Sequence, residues 1–384
     1  MKRIGMILLA AVVLLAALPV TGAAAELELK GKSAVLMDIA TGTVLYEQNA
    51  HEPLAPASVT KVMTMLLIME AIDSGSLKWE DTVTASEAAA SKGGSQIFLK
   101  VGETMTVTDM VKSIAVSSAN DCACAMAEHI AGSEAEFVER MNARARELGM
   151  KDTHFVNCTG LDDGENAKDH RTSAYDIALM SRELLKNHPD IKQFTTIWMD
   201  TVRDGAFGLA NTNKMVRFYP GCTGLKTGFT SGAGYCLSAS AQRDELELIA
   251  VVMGSKTSQD RFAACKSMLD YGFANYALYT PALQEEVTVP VTLGTAGAVA
   301  LVPESDSAIL TEKALFGSIL TDIQAEPEVA APVAQGQQLG TMTIRAGDRV
   351  IAQIPLIAET EIPRLTWAQL FRKILGRIAM AKNA

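Results

Sequence analysis

The sequence predicts an α+β fold: one antiparallel sheet covered by helices, then a small all-β domain, then a C-terminal amphipathic helix. Three observations carry that prediction. Strand-like runs flank a long stretch of helical periodicity within the first 280 residues. Beyond Pro281 the texture turns to short β-branched runs broken by Gly and Pro. Residues 360–384 then separate apolar from basic positions at helical spacing.

The chain opens on MKRIGMILLAAVVLLAALPVTGAAAE, with Lys2 and Arg3, an apolar run, and Ala23-Ala24-Ala25. That is a secretory leader over 1–25, cleaved after Ala25. An uncleaved anchor is the competing reading; the Pro19 break and the small-residue end favour cleavage. The protein is therefore expected outside the cytoplasm. Losing Lys2 and Arg3 moves the net charge from −10 to −12, an acidic body that argues against a nucleic-acid partner.

SAVLMDIATGTVLYEQN reads as a hairpin from Ser33 to Asn49 around an Ala-Thr-Gly turn. The helix opened by Ala57 and Ser58 in PASVTKVMTMLLIME follows, ending near Ser74-Gly75 and apolar nearly all round. Further helices are expected in TVTDMVKSIAVSS, in NDCACAMAEHIAG, and in TSAYDIALMSRELLKNH with Thr172 and Ser173 as capping residues. GLKTGFTSGAGYCLSASAQ and LELIAVVMG read as strands, and SQDRFAACKSMLDYGFANY as a helix. The expected boundaries are 26–280 for the helix-covered sheet, 281–359 for the β-rich domain and 360–384 for the final helix. In that helix Leu365, Trp367, Leu370, Phe371, Ile374, Leu375 and Ile378 share a face, opposite Arg364, Arg372, Lys373 and Arg377. It is too short and too charged to span a bilayer but suits a membrane interface. Packing on the β-rich domain is the alternative.

Six cysteines carry no CxxC or zinc spacing, and Cys122 and Cys124 point to different helix faces. Small buried thiols are expected, with a Cys222–Cys236 bridge left open and none assigned. The five histidines, His51, His129, His154, His170 and His188, are scattered and read as structural or surface residues. No metal and no cofactor is expected.

Three short motifs carry chemistry. Ser58 and Lys61 stand i, i+3 on one helix face. Alone they read as a cap and a snorkelling charge. Ser118-Ala119-Asn120 falls at a helix junction, and Lys226-Thr227-Gly228 on a strand. Each is weak by itself. The three in order form the set known from class A β-lactamases and penicillin-binding proteins.

On these motifs the chain resembles low-molecular-mass penicillin-binding proteins, serine-type D-alanyl-D-alanine carboxypeptidases of the peptidase S11 family. The resemblance runs from about Ser33 to the C-terminus and includes FLKVGETMTVTDM, NTNKMVRFYPGCTGLKTGFTSGAGYCLSASA and GSKTSQDRF. It implies a β-lactamase/penicillin-binding-protein-like fold for 26–280. It also implies Ser58 as nucleophile, Lys61 as its base and Ser118 as a proton relay. Asn120 would bind the substrate amide and Lys226 would stabilise charge. Lys226 to Phe229, Gly228 included, would form a strand edge that pairs with an extended substrate. The backbone N–H groups of Ser58 and Phe229 would form the oxyanion hole, and Thr227 and Arg261 would hold the substrate carboxylate. Gly93-Gly94 would lie in a flexible rim.

The residue types suit those roles. A serine hydroxyl needs a base, and no His–Asp arrangement is evident. A lysine, ordinarily near a pKa of about 10.4, serves only if burial and nearby cations lower it by several units. The implied reaction removes the terminal D-alanine from peptidoglycan stem pentapeptides through a Ser58 acyl-enzyme. β-Lactams would act as acylating inhibitors, and residues 362–384 would hold the protein on the outer face of the cytoplasmic membrane. Two other readings are weighed. A class A β-lactamase needs a deacylating glutamate, for which Glu183 with Asn187 is the tempting match. A non-catalytic cell-wall scaffold would not need Ser58, Lys61, Ser118, Asn120 and Lys226 all intact.

Overall fold

The computed structural model describes residues 27–162, 166–304 and 308–381; the leader expected over 1–25 lies outside them, as does the tail from 382. The Ser33–Asn49 hairpin forms as β1 (Ser33–Asp38) and β2 (Val44–Gln48). A short 3₁₀ turn, Ala57–Thr60, leads into α1 (Lys61–Asp73). Then come α2 (Val107–Ser117), α3 (Asn120–Ala131), α4 (Glu134–Glu147) and α5 (Ala174–Asn187). The chain returns through β3 (Cys222–Thr230), β4 (Gly234–Arg243) and β5 (Leu246–Ser255), and closes the unit with α6 (Ser258–Asn275).

The sheet is antiparallel with order β2-β1-β5-β4-β3, so the first and last segments meet in its middle. Alternation along its strands separates two cores. Val35, Met37, Ile249, Val251 and Met253 face the helical layer of α1 to α5. Ala34, Leu36, Leu248, Ala250 and Val252 face α6. Burial on both faces explains why β1 and β5 read as nearly continuous apolar runs. α1 is covered on every side, with eight of its residues buried, which accounts for its lack of amphipathic pattern. Side-chain caps start α2, α4, α5 and α6: Thr106, Ser133, Ser173 and Thr257 each accept from the backbone N–H three residues on. Each such cap is worth about 1 kcal/mol.

The β-rich region holds β6 (Val287–Thr292), β7 (Ala298–Pro303), β8 (Ile319–Ala325), β9 (Val329–Ala330), β10 (Gln338–Ala346) and β11 (Arg349–Ala358). They form a six-stranded sheet of order β8-β10-β11-β7-β6-β9 around a third core that includes Val289, Leu301, Met342, Ile344 and Leu356. A further strand pair, Tyr276–Tyr279 against Ile309–Glu312, ties the end of α6 to this region. The final helix, α7 (Trp367–Ala381), begins later than residue 360. Residues 362–365 are instead stitched to the β-rich region, Ile362 with Val333 and Leu365 N–H to the Leu293 carbonyl. Trp367 is 87% exposed and Phe371 63%, so α7 does not lay its apolar face on the β-rich domain.

All six cysteines are free. Cys222 lies opposite Ala241 and Cys236 opposite Gly228, so β3 and β4 do not set the two side by side.

Candidate active site

Three elements converge. The 3₁₀ turn carries Ser58 and hands over to α1, whose first residue is Lys61. Lys61 is fully buried; its Nζ lies 2.9 Å from Ser58 Oγ and donates to the Thr159 carbonyl at 2.8 Å. Burial pushes this amine down from 10.5 to about 7, against the opposing pull of Cys158 and Asp121. Among the described residues no carboxylate pairs with it. As a neutral amine it keeps the carbonyl bond and has a lone pair left for the serine O–H.

The second element is the junction of α2 and α3. Ser118 ends α2 in the left-handed conformation at φ 63°, a costly backbone state for a residue with a Cβ. Asn120 opens α3; its Nδ2 donates to the Gly93 carbonyl at 2.7 Å, while its Oδ1 is buried without a partner. An orphaned buried acceptor of this kind calls for a donor from a ligand or water. The next residue, Asp121, accepts backbone N–H bonds from Ile97 and Leu99, and so anchors the segment after Gly93-Gly94.

The third is β3, the edge strand. A Cβ on Gly228 would stand 2.6 Å from the Pro56 carbonyl and 3.1 Å from Ser58 N, so the strand runs directly against the Ser58 turn. Lys226, 1% exposed, has the Thr227 carbonyl as partner at 3.0 Å. Burial, and then the charges of Lys61 and Arg261, hold its amine well below the ordinary lysine range. Thr227 donates to Thr212 at 2.7 Å, and Phe229, 53% exposed, stacks on Tyr235.

Arg261 lies behind this strand. It is 7% exposed and donates to the Gly228 and Cys236 carbonyls at 2.9 and 3.3 Å, over the rings of Tyr235 and Phe262. Its guanidinium backs the Gly228 strand instead of standing open at the surface. Ser58, Lys61 and Gly228 thus meet at one turn, the charges of Lys61 and Lys226 interact, and Arg261 backs the same strand.

Comparison with known proteins gives the family and the fold. Residues 20–257 match the peptidase S11 family, D-alanyl-D-alanine carboxypeptidase. The chain belongs to that family. Residues 281–364 of this S11 family member match the C-terminal domain of penicillin-binding protein 5. It is 44% identical to the D-alanyl-D-alanine carboxypeptidase DacF of Bacillus subtilis, over 91% of this chain and 90% of that one. It is 32% identical to DacA of Escherichia coli K12, over 92% and 88%. The crystal structure of penicillin-binding protein 5 from Haemophilus influenzae superposes with a TM-score of 0.77 at 29% identity, covering 88% of this chain and 98% of that one. Penicillin-binding protein D2 from Listeria monocytogenes, in its ampicillin-bound form, gives 0.56 at 32% identity, over 64% and 99%.

Several residues of this S11 family member escaped the sequence reading. Thr159 contributes a backbone carbonyl, which has no residue-type signature. Asp121 directly follows the Ser118–Asn120 motif and could have been found there as a buried acid at a helix start. His170, expected to be structural, is buried with Nδ1 accepting from Val156 N and Nε2 bonded to Thr60 at 2.7 Å. Burial pushes it down to about 4, so it stays neutral and braces the Ser58 turn through Thr60, which donates to the Ala57 carbonyl. Glu183, the tempting deacylating acid, is bonded by Arg144 at 2.6 Å and by Asn187 at 2.9 Å. Glu70, Glu183 and His188 bring three ligand atoms together, but Arg144 bonds both carboxylates and His188 pairs with Asp73. That cluster is an ion-pair network.

Proposed function

We propose that this chain removes the terminal D-alanine from peptidoglycan stem pentapeptides, through an acyl-enzyme on Ser58 that water resolves. The observation that carries the reading is Lys61: buried, without a carboxylate partner, held near neutrality and 2.9 Å from Ser58 Oγ. Lys61 takes the serine proton as Ser58 attacks the carbonyl carbon of the penultimate D-alanine. The oxyanion is held by the backbone N–H groups of Ser58 and Phe229, a donor pair in which each member is worth about 10²–10³ in rate. Ser118 passes the proton to the leaving amine. Asn120 Oδ1 accepts the substrate's amide N–H, and the free edge of β3 pairs with its extended backbone. The substrate carboxylate meets Thr227, with Lys226 and Arg261 supplying positive field; its negative charge draws Lys226 back toward the protonated form. β-Lactams acylate the same serine.

The domain scheme follows this reading: a leader over 1–25, a catalytic domain over 26–280, a β-rich domain over 281–359 and an anchoring segment over 360–384. No described helix is long and apolar enough to cross a membrane. The exposed Trp367, Phe371, Ile374 and Leu375, with Arg372 and Lys373 beside them, instead suit an interface, peripheral on the outer face of the cytoplasmic membrane. The β-lactamase reading loses its base, because Glu183 is held by Arg144.

The test is release of D-alanine from a synthetic pentapeptide, with fluorescent-penicillin labelling in parallel. The parent protein is expected to release D-alanine and to carry a lasting label, and Ser58→Ala to do neither. D-Alanine release that survives Ser58→Ala overturns the mechanism. Rapid turnover of a β-lactam, with no lasting label, returns the β-lactamase reading.

A further inference from the structure

We propose that Asn157 is a positioning residue for acylation: its side chain locks the peptide unit that aims the Thr159 carbonyl at Lys61 Nζ. The inference rests on the reading of Ser58 and Lys61 given above, and its argument is geometric. The Thr159 carbonyl and the Gly160 N–H belong to one planar trans peptide, so they point in opposite directions. Asn157 Oδ1 accepts from that Gly160 N–H at 2.7 Å. Holding the N–H on one side commits the carbonyl to the other, where it accepts from Lys61 at 2.8 Å.

The rest of the Asn157 side chain removes the remaining freedom of the loop. Oδ1 also accepts from Thr159 N at 3.1 Å and from Thr159 Oγ1 at 3.2 Å, and Nδ2 donates to the Leu161 carbonyl at 2.9 Å. Outside anchors place the loop as a whole. Thr64, one turn along α1 from Lys61, donates to the Cys158 carbonyl at 2.6 Å, and Cys158 N–H bonds Glu134 at 3.2 Å. Gly160 has φ +80°, and a Cβ there would fall 1.8 Å from the Ala57 carbonyl, so the loop is seated on the Ser58 turn. These anchors fix where the loop lies, whereas the Asn157 amide fixes which way its 159–160 peptide faces.

That orientation matters because a neutral lysine amine has two N–H bonds and one lone pair. With one N–H committed to the Thr159 carbonyl, the lone pair is directed within reach of Ser58 Oγ. If the peptide turns over, a buried amine is left with an N–H facing an N–H, and it reorients away from the serine. Sub-ångström placement of a base is worth large factors in rate, up to about 100-fold for a displacement of about 1 Å. Nothing in this role requires Asn157 to touch substrate. The loop therefore acts on the chemical step and leaves the first encounter with the ligand alone.

The experiment measures acylation of the full-length protein by a fluorescent penicillin under stopped flow. It separates the non-covalent binding constant from the first-order acylation constant, with active sites counted by titration. Asn157→Ala is expected to lower the first-order constant about 10- to 100-fold per titrated site, with non-covalent binding changed less than about twofold. Asn157→Asp keeps the acceptor oxygens but loses the bond to Leu161 and adds a charge that favours protonated Lys61, so it is expected to recover part of that loss, and most of it at high pH. The proposal is overturned if Asn157→Ala acylates at the parent rate per titrated site. It is overturned equally if the variant only loses titratable sites, since that is a folding role, or if Asn157→Asp is as slow as the alanine variant even at high pH, where the added charge no longer keeps Lys61 protonated. A parent protein that takes no label on Ser58 overturns the mechanistic reading and this inference together. A normally labelled parent beside an unaffected Asn157→Ala removes the inference alone.

Discussion

On the proposed reading, Lys61 is a base made by subtraction. Taking water away leaves its amine near 7, and Asp121 and the Cys158 thiol, the groups that favour its charge, do not restore the ordinary value. Lys226 and His170 are further titratable groups whose charges interact with it. Below about pH 7 the amine binds a proton and has no lone pair for Ser58; above it the lone pair is free. Acylation is therefore expected to fall about tenfold per pH unit on the acid side and to level off above pH 7. Stopped-flow acylation between pH 5 and 8 checks this, and a flat profile there removes Lys61 from the role of base. At this scale the sequence was most informative for the side chains to which the proposal gives the chemistry, because Ser58, Lys61, Ser118, Asn120 and Lys226 stand in three short motifs in a fixed order. It was silent on Thr159 and Asn157, whose contributions are a carbonyl direction and a loop shape. Arg261 was legible as a residue but not in its setting, since residue type does not tell whether a guanidinium faces solvent or strand carbonyls.

Elements meet at the site through contacts that leave no room. β3 runs so close to the Ser58 turn that Gly228 has no space for a side chain. Gly228→Val is expected to push the strand edge off the turn and to lower acylation more than about 100-fold, because the Ser58 and Phe229 N–H groups separate. Overpacking there should cost about 1–3 kcal/mol of stability. Penicillin labelling and thermal melts measure the two effects. Unimpaired acylation would mean that the edge tolerates displacement. Most elements were visible beforehand: the apolar run of β1 before its Ala-Thr-Gly turn, the helical periodicity of α2 and of the capped α5, and β-branched runs in the last third. The start of α7 was not, although Pro363 hints at a break, because residues 362–365 take part in backbone pairing with Val333 and Leu293. Pairing partners some 30 and 70 residues away leave no local mark.

For the whole molecule, that pairing decides where the tail can be cut. Removing residues 367–384 spares Ile362 and Leu365, and is expected to leave pentapeptide cleavage and the thermal midpoint unchanged while releasing the protein from anionic vesicles. Co-sedimentation with such vesicles measures it. Retention of the shortened protein on the vesicles would assign membrane contact to some other surface. The six cysteines have a consequence on the same scale. Five of them are buried in the packed interior of the helix-covered sheet, and none is bridged. A thiol reagent in solution reaches those five only when the fold opens, so their modification rate reports opening events and not thiol chemistry. The protein thus carries an internal clock for its own unfolding, distributed across α3, the 157–161 loop, β4 and α6.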